Sequence, residues 1–427
     1  MLDLAFIRDH PDLIKEVAAR RHTAVDVDAL LAIDGDLRET RRRAEDLRAE
    51  QNRLNKAIRE AGADREARER HIARGREVAT ALKELEPRER ELEAQLRELW
   101  LLVPNIPDAS VPDGAGEEDN VEIKRIGEPR RFDFEPLDHV TLMNALDMLD
   151  IERGVKVAGS RSYILKGDAV LLEMALLQFA LHRVSQKGFM PLSVPAMAKE
   201  FCFYGNSQFP RGRDQTYALP EDDLYLVGTA EVSITGMHSG EILREQDLPI
   251  RYVAWSPCFR REAGTYGKDT KGIFRVHQFE KVEQYIICRA DHEESVRWHE
   301  ELLAIAEELV QALELPYRVL NICTGDLGDA KVKGYDVECW LPSENRYRET
   351  HSDSYFHDFQ ARRADLRYRG EDGVVRYVHT LNNTALASVR TIIAVIENHQ
   401  QADGTIYVPE ALRPFLAGRA TLGTPWR

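Results

Sequence analysis

The chain has 427 residues, enough for two or three domains and a sizeable core. Its net charge of −15 excludes a surface that binds polyanions everywhere, so a nucleic-acid partner requires a local basic region. The five cysteines (202, 258, 288, 323 and 339) are scattered with no CxxC pair, which argues against a disulfide framework or a zinc site and for a reducing, cytoplasmic compartment.

The N-terminal MLDLAFIRDHPDLIK is charged throughout and lacks the apolar region of a signal peptide. No apolar run of about 18 residues appears, so no membrane span is expected. After a short helix and loop to about residue 27, a heptad begins. Leu30, Ile33, Leu37, Ala44, Leu47, Gln51, Leu54, Ile58 and Ala61 keep alternating steps of three and four. A second series runs Ile72, Gly75, Val78, Leu82, Leu85, Leu92, Leu96, Leu99 and Val103, with Gly62-Ala63-Asp64 between the two. Two matching apolar seams joined by a tight turn predict an antiparallel coiled-coil hairpin over about 28–103, roughly 50 Å long, with a kink at Pro87. Between Gly35 and Arg76 there are 13 Lys and Arg against 9 Asp and Glu, a local +4 in an acidic chain. Such charges can simply be solvated helix faces; here they also suit an arm lying along a nucleic-acid backbone.

Pro104-Asn105-Ile106-Pro107 ends the hairpin, and a Gly/Asp/Glu-rich stretch at 108–120 reads as a linker. The expected division is 1–107, linker 108–120, and a second domain over 121–427. From Val121 strands and shorter helices follow: an apolar helix over 169–184, a strand over 188–194 ended by Pro195, LVGTAEVSI within 225–234, and an amphipathic helix over 299–313. Strands are expected over 317–323, 336–341, 346–352 and 379–384, then a last helix over 385–400 carrying Arg390. Short turns between consecutive strands predict an α+β fold whose sheet is largely antiparallel.

The chemistry concentrates in Cys258 to Glu283, CFRREAGTYGKDTKGIFRVHQFEKVE. Strands over 252–261 and 274–284, joined by the Gly264–Gly272 loop, make a hairpin. Alternation then places Arg275, His277, Phe279, Lys281 and Glu283 on one face. Such a face can grip a phosphate, stack a flat ring and hold a small polar molecule. No GxGxxG, GxxxxGK[ST] or GxSxG is present, so a nucleotide must be held by arginine forks and carboxylates: Arg260, Glu262, Arg275, Glu349 and Arg390. Glu349 and Ser352 offer oxygens to Mg²⁺. Simpler readings stand beside these. Any one Arg or Glu can be a surface ion pair, Phe279 a core aromatic, Thr384 a helix N-cap and Glu231 a strand-end carboxylate; His277, Cys258 and Cys339 read as structural.

FRREAG, the loop and FRVHQFEKVE resemble motif 2 of class II aminoacyl-tRNA synthetases, and HTLNNTALASVRTIIAVIENHQ resembles motif 3 with its arginine. Thr229-Ala230-Glu231 is similar to the TAE element of the seryl enzymes, ENRYRETHSDSYFHDFQARR to their ATP-side strand and VPEALRPF to their C-terminal signature. With the arm, the whole chain resembles the bacterial-type seryl-tRNA synthetases. The resemblance implies an N-terminal antiparallel two-helix arm followed by an antiparallel sheet flanked by helices, and a homodimer formed through motif 1, placed at 188–195. It implies seryl-adenylate formation from L-serine and ATP with Mg²⁺, then transfer to tRNA(Ser), and to tRNA(Sec) where present.

By resemblance, Arg260 meets the α-phosphate, Glu262 the adenine amino group and Arg275 the γ-phosphate, while Phe279, Val276 and Arg390 frame adenine. Arg261, Thr350 and His351 fall in the same ATP-binding stretches. Glu349 and Ser352 carry the ATP-bound Mg²⁺; Arg260, Glu349 and Arg390 are the catalytic set. Serine falls to Thr229, Ala230, Glu231, Glu283 and Thr384. Arg38, Arg41, Arg42, Arg53, Lys56, Arg59, Arg68 and Arg76 are the arm's candidates for tRNA. The sequence departs from the frequent family pattern at ETHSDSY (349–355), at NNTALAS and at Arg261, where serine is often found. The rival readings are a synthetase-derived ligase that delivers serine to another acceptor, a non-catalytic RNA-binding scaffold, and a specialised second copy of the enzyme.

Overall fold

The computed structural model describes residues 1–61, 64–264, 267, 269 and 272–423. The expected turn at Gly62-Ala63 and the lysines 268 and 271 of the Gly264–Gly272 loop lie outside the described residues. The chain forms two compact units, Leu2–Pro104 and Asn105–Arg427, the latter with Met1.

Among its described residues the first unit has helices and no strand. Short helices Leu4–Asp9 and Pro11–Arg20 precede Val27–Glu60 and Arg65–Trp100. Both long helices start on an aspartate whose carboxylate accepts a backbone N–H of the first turn: Asp26 from Ala29 at 2.8 Å and Asp64 from Ala67 at 3.0 Å. Leu30, Leu37 and Ala44 of one helix and Val78, Leu92 and Leu96 of the other are buried, at positions that the heptad names. Leu54, Ile58 and Ile72, nearer the turn, are only half-buried, because two helices cannot enclose a seam. Arg41 pairs with Glu89 at 3.0 Å and Arg74 with Glu50 at 2.7 Å, so the helices run antiparallel. The returning helix passes through Pro87 without interruption.

The second unit is built on an eight-stranded sheet. Its strands, in spatial order, are Val121–Ile126, Tyr317–Asn321, Lys333–Leu341, Arg346–Tyr355, His379–Ala387, Gln278–Cys288, Ile250–Phe259 and Met190–Ser193. Every pairing is antiparallel except the last, where Met190–Ser193 runs parallel to Tyr252–Trp255. Helices Asp168–Gln186, His292–Ala312 and Ser388–His399 contribute Leu172, Phe179, Leu302, Leu309, Ile392 and Ile396 to one core with Val253, Val282 and Ile286 of the sheet. Tyr285 and Ile287 point the other way, into a second core with Ile234, Leu366 and Val378.

The structure corrects several expectations. The central hairpin is Ile250–Phe259 with Gln278–Cys288, so Arg260, Arg261 and residues 274–277 lie outside the strands. Alternation therefore governs Phe279, Lys281 and Glu283 but not Arg275 or His277. Residues 230–237 form a helix rather than a strand, so Glu231 is no strand-end residue. The last strand runs on to Ala387, and Thr384 sits inside it rather than capping the helix that begins at Ser388. The stretch 108–120, read as a linker, packs on the second unit. Val111 is buried against Leu320, Ile322 and Leu327, and the Asp108 N–H donates to the Val332 carbonyl at 2.9 Å.

Candidate active site

One narrow cavity, about 50 Å³, is lined by Arg260, Glu262, Phe274, Arg275, Val276, Phe279, Lys281, Glu349, Thr350, Thr384, Ala387, Val389 and Arg390. Segments more than a hundred residues apart thus bring the three arginines together. A larger cavity of about 470 Å³ lies on another side of Phe279 and contains none of these arginines, so the phosphate-type chemistry belongs to the smaller one.

Two irregularities in the sheet make the site. The register shifts between Val337 and Glu338, where Thr350 is the extra residue of the opposing strand: Glu338 faces Glu349, yet Asp336 faces Ser352. Without that bulge Glu349 and Ser352, three apart, would point to opposite faces; with it they share one. A second shift between Val282 and Glu283 leaves Ala385 unpaired and sets Thr384 directly across from Glu283. Bulges beside a site re-aim side chains that strict alternation would hide.

The arginines are held by aromatic rings and carboxylates. The Arg260 guanidinium lies 5.2 Å from the centre of the Phe279 ring. Phe274 has Arg390 at 4.6 Å and Arg348 at 3.9 Å from its centre. Arg390 pairs with Glu349 at 3.0 Å. Burial works to raise the Glu349 carboxyl, but Arg390 and then Arg260 hold it below the usual carboxylate range. Arg275 binds Asp269 at 2.8 Å and approaches Glu262 at 3.5 Å, and Arg348 binds the other Asp269 oxygen at 2.7 Å. Asp336, beside Glu349 and Ser352, is pushed up by burial and by the Glu349 charge.

A second polar group adjoins this one. Lys281 forms an ion pair with Glu283 and donates to Thr229 Oγ1 at 2.9 Å; both charged side chains are nearly fully buried. Thr229 caps the helix Ala230–Met237, its hydroxyl accepting the Glu231 N–H at 3.3 Å. Gln360 donates to Glu231 at 2.6 Å and accepts from Thr380 at 2.6 Å. Burial, and next the Glu283 charge, push the Glu231 carboxyl up to about 7.

Some expected residues stand apart. Ala230 is fully buried in the helix. Arg261 is exposed, its N–H donating to the Gln215 carbonyl. His351 is buried, 2.8 Å from the Thr350 hydroxyl, and burial pushes its imidazole down to about 4. The Thr350 hydroxyl itself donates to the Val337 carbonyl at 3.1 Å. On the arm, Arg41 is engaged with Glu89 and Glu93, and Lys56 approaches Glu60 at 3.7 Å. Arg38 lies 3.7 Å from Asp34, and Arg59 donates to the Asn55 carbonyl at 3.1 Å. Arg42, Arg53, Arg68 and Arg76 are exposed and, among the described residues, have no ion pair.

Residue-by-residue reading of the sequence assigned no role to Phe274, Arg348, Asp269, Asp336 and Gln360. All but Asp336 lie inside the motif stretches, but no spacing or alternation marks them there; only folding brings them to the site. Lys281 had a signal, since strand alternation put it between Phe279 and Glu283, but a lysine on such a face reads as solvent-exposed until its burial is known.

A family model described as the tRNA synthetase class II core domain (G, H, P, S and T) matches residues 217–399, and one for the seryl-tRNA synthetase N-terminal domain matches 1–107. A serine–tRNA ligase of Deinococcus radiodurans is 51% identical over 427 residues, all of both chains. The chain belongs to the seryl-tRNA synthetase family. It therefore falls among the aminoacyl-tRNA synthetases, and the arm followed by a helix-flanked antiparallel sheet is the family's fold. The serine–tRNA ligase of Thermobifida fusca is 45% identical over 97% of each chain. The seryl-tRNA synthetase of Pyrococcus horikoshii, solved in complex with ATP, superposes with a TM-score of 0.91 at 41% identity, covering 99% of each chain. The cytoplasmic serine–tRNA ligase of Naegleria fowleri, solved with AMP, gives 0.86 at 29% identity over 99% of this chain and 98% of its own.

Proposed function

We propose that this chain joins L-serine to ATP, forming seryl-adenylate and pyrophosphate, and then passes the seryl group to the 3′ end of tRNA(Ser), or of tRNA(Sec) where present. The observation that carries the reading is the convergence of Arg260, Arg275, Arg390 and Glu349 on one cavity beside the buried Thr229–Lys281–Glu283 group. In the first step a serine carboxylate oxygen bonds to the α-phosphorus as the α–β phosphoanhydride breaks and pyrophosphate leaves. Negative charge builds at phosphorus, where the Arg260 fork stabilises it, and the remaining groups align the reactants. No protein nucleophile is required. In the second step a terminal ribose hydroxyl of the tRNA attacks the acyl carbon and AMP leaves.

Phe279 and Arg390 take the two faces of adenine, Glu262 and the Val276 backbone its edge, and Arg275 the γ-phosphate. Glu231, Glu283, Thr229 and Thr384 take serine. Alanine would leave those polar groups unpaired, so discrimination of roughly 10⁴-fold is within reach of such a pocket.

The oxygen set suits Mg²⁺. Glu349 and Ser352 share a face with Asp336, whose carboxyl is pushed up by burial and the Glu349 charge, a charge that a bound cation would offset. Among the described residues no three His, Cys, Asp or Glu gather as a metal cage. Held by Glu349 and Ser352, Mg²⁺ would neutralise phosphate charge.

A homodimer through the Met190–Ser193 edge strand is part of the reading. Met190 is 60% exposed and lies on the same unit as the exposed Leu171, Met174 and Trp255. The domain division at 107, with 121–427 catalytic, and a cytoplasmic location complete it; no helix among the described residues is long and apolar enough to cross a membrane. The exposed Arg42, Arg53, Arg68 and Arg76 support an arm that meets tRNA through its backbone.

The test is ATP–pyrophosphate exchange with each of the twenty amino acids, followed by charging of total tRNA with serine. Serine-specific exchange plus charging is expected. Exchange without charging would favour another acceptor, and no exchange at all would leave a scaffold.

A further inference from the structure

Arg275, Val276 and His277 precede the strand Gln278–Cys288 and are held by a distant part of the chain. The helix Ile151–Ala158 ends at Gly159, and the residues that follow turn back on the site. The His277 N–H donates to the Arg161 carbonyl at 3.2 Å, and Arg161 Nη1 donates to the Arg275 carbonyl at 3.3 Å. The Tyr163 hydroxyl donates to the Gln278 carbonyl at 3.2 Å. His277 passes the constraint on. The Arg260 N–H donates to its carbonyl at 2.9 Å, and its ring Nδ1 lies 2.9 Å from the Arg260 carbonyl. A continuous hydrogen-bonded path thus joins Arg161 to the backbones of both Arg260 and Arg275.

Two further observations show that this path is more than incidental packing. Arg161, His277 and Gln278 line the cavity of about 470 Å³, so hydrogen bonds rather than close packing hold this side of the turn. Arg161 also has φ +57°, a left-handed conformation that a long side chain seldom adopts and that persists only where its surroundings over-determine it.

We propose that Arg161 is a positioning residue for adenylate formation, fixing the backbone that aims Arg260 and Arg275 without itself touching substrate. The proposal rests on the reading of the small cavity as the ATP site. Arg161→Ala is expected to raise the KM for ATP about tenfold, short of the roughly hundredfold that a misplacement of about 1 Å can cost, with the serine KM held within about twofold. Tm is expected to stay unchanged. Arg161→Lys, which keeps a donor on a long stem, recovers part of the loss, and Tyr163→Phe gives a smaller change in the same direction. An unchanged ATP KM in Arg161→Ala overturns the proposal. So does a parallel rise in both KM values with a fall in Tm and no rescue by lysine, the pattern of general loosening. ATP affinity is measured as well by calorimetry. An absence of serine-dependent exchange in the unsubstituted chain overturns the functional reading, whereas an unchanged ATP Kd in Arg161→Ala overturns this proposal.

Discussion

On the arm, Arg74 holds Glu50 at 2.7 Å with the arginine exposed and the carboxylate half-buried; in the sheet, Lys281 and Glu283 pair almost wholly out of water. The first kind of pair is screened and replaceable, the second is costly to break from one side. On the proposed reading, the arm would spread its grip over several exposed arginines, so that no single one is decisive. The sheet concentrates its work in a few groups that have no substitute partner. A family enzyme that must grip a long polyanion and also align three small reacting groups needs both arrangements.

The sharpest test of this contrast is Arg260→Ala. Its guanidinium lies on a ring face, so the fold should survive while ATP–pyrophosphate exchange falls by about a hundred- to a thousandfold. Deleting residues 38–90 from the arm should do the converse: exchange stays and charging of tRNA collapses. Survival of both activities would show that the arm is not the tRNA grip.

Lys281→Met probes the buried pair. It strands the Glu283 carboxylate and should destabilise the fold by about 3 kcal/mol, read from urea unfolding, besides abolishing serine activation. Glu231 supplies a pH test. Its carboxyl titrates near 7 in the folded chain, above the unfolded value of about 4.3. The folded state thus keeps a proton that the unfolded state has lost. The stability from this group is full below the unfolded value and is lost as pH rises through about 7. If Glu231 faces serine's ammonium within the proposed pocket, the serine KM should fall as pH climbs through about 7. Glu231→Gln should flatten both trends; a persisting pH dependence would remove Glu231 from the serine site.

The smallest effects belong to single arm residues. Arg53→Ala should weaken charging only a few-fold and make it slightly less salt-sensitive, since removing the partner of one phosphate lowers the slope of log K against log salt by about 0.7 to 0.9. Arg41→Ala should cost less than about 1 kcal/mol of stability, since its partners Glu89 and Glu93 return to water.

The arm was legible in the sequence, because a helix is a local structure: heptad spacing names Leu30, Leu37, Ala44, Val78, Leu92 and Leu96, all of them buried. The sequence also determined which residue types gather around the chemistry, through the FRREAG and FRVHQFEKVE segments and the final arginine. Tertiary structure alone decided where strands stop and how they slip against each other. Alternation extended the hairpin through Arg275, whereas the observed strand begins at Gln278. Bulges at Thr350 and Ala385 bring Glu349 with Ser352 and Glu283 with Thr384, and neither is written in a single strand, since a bulge exists only between two. Phe274, Arg348, Gln360 and Arg161 act through neighbours far away in the chain, and such pairings have no period for a sequence to show.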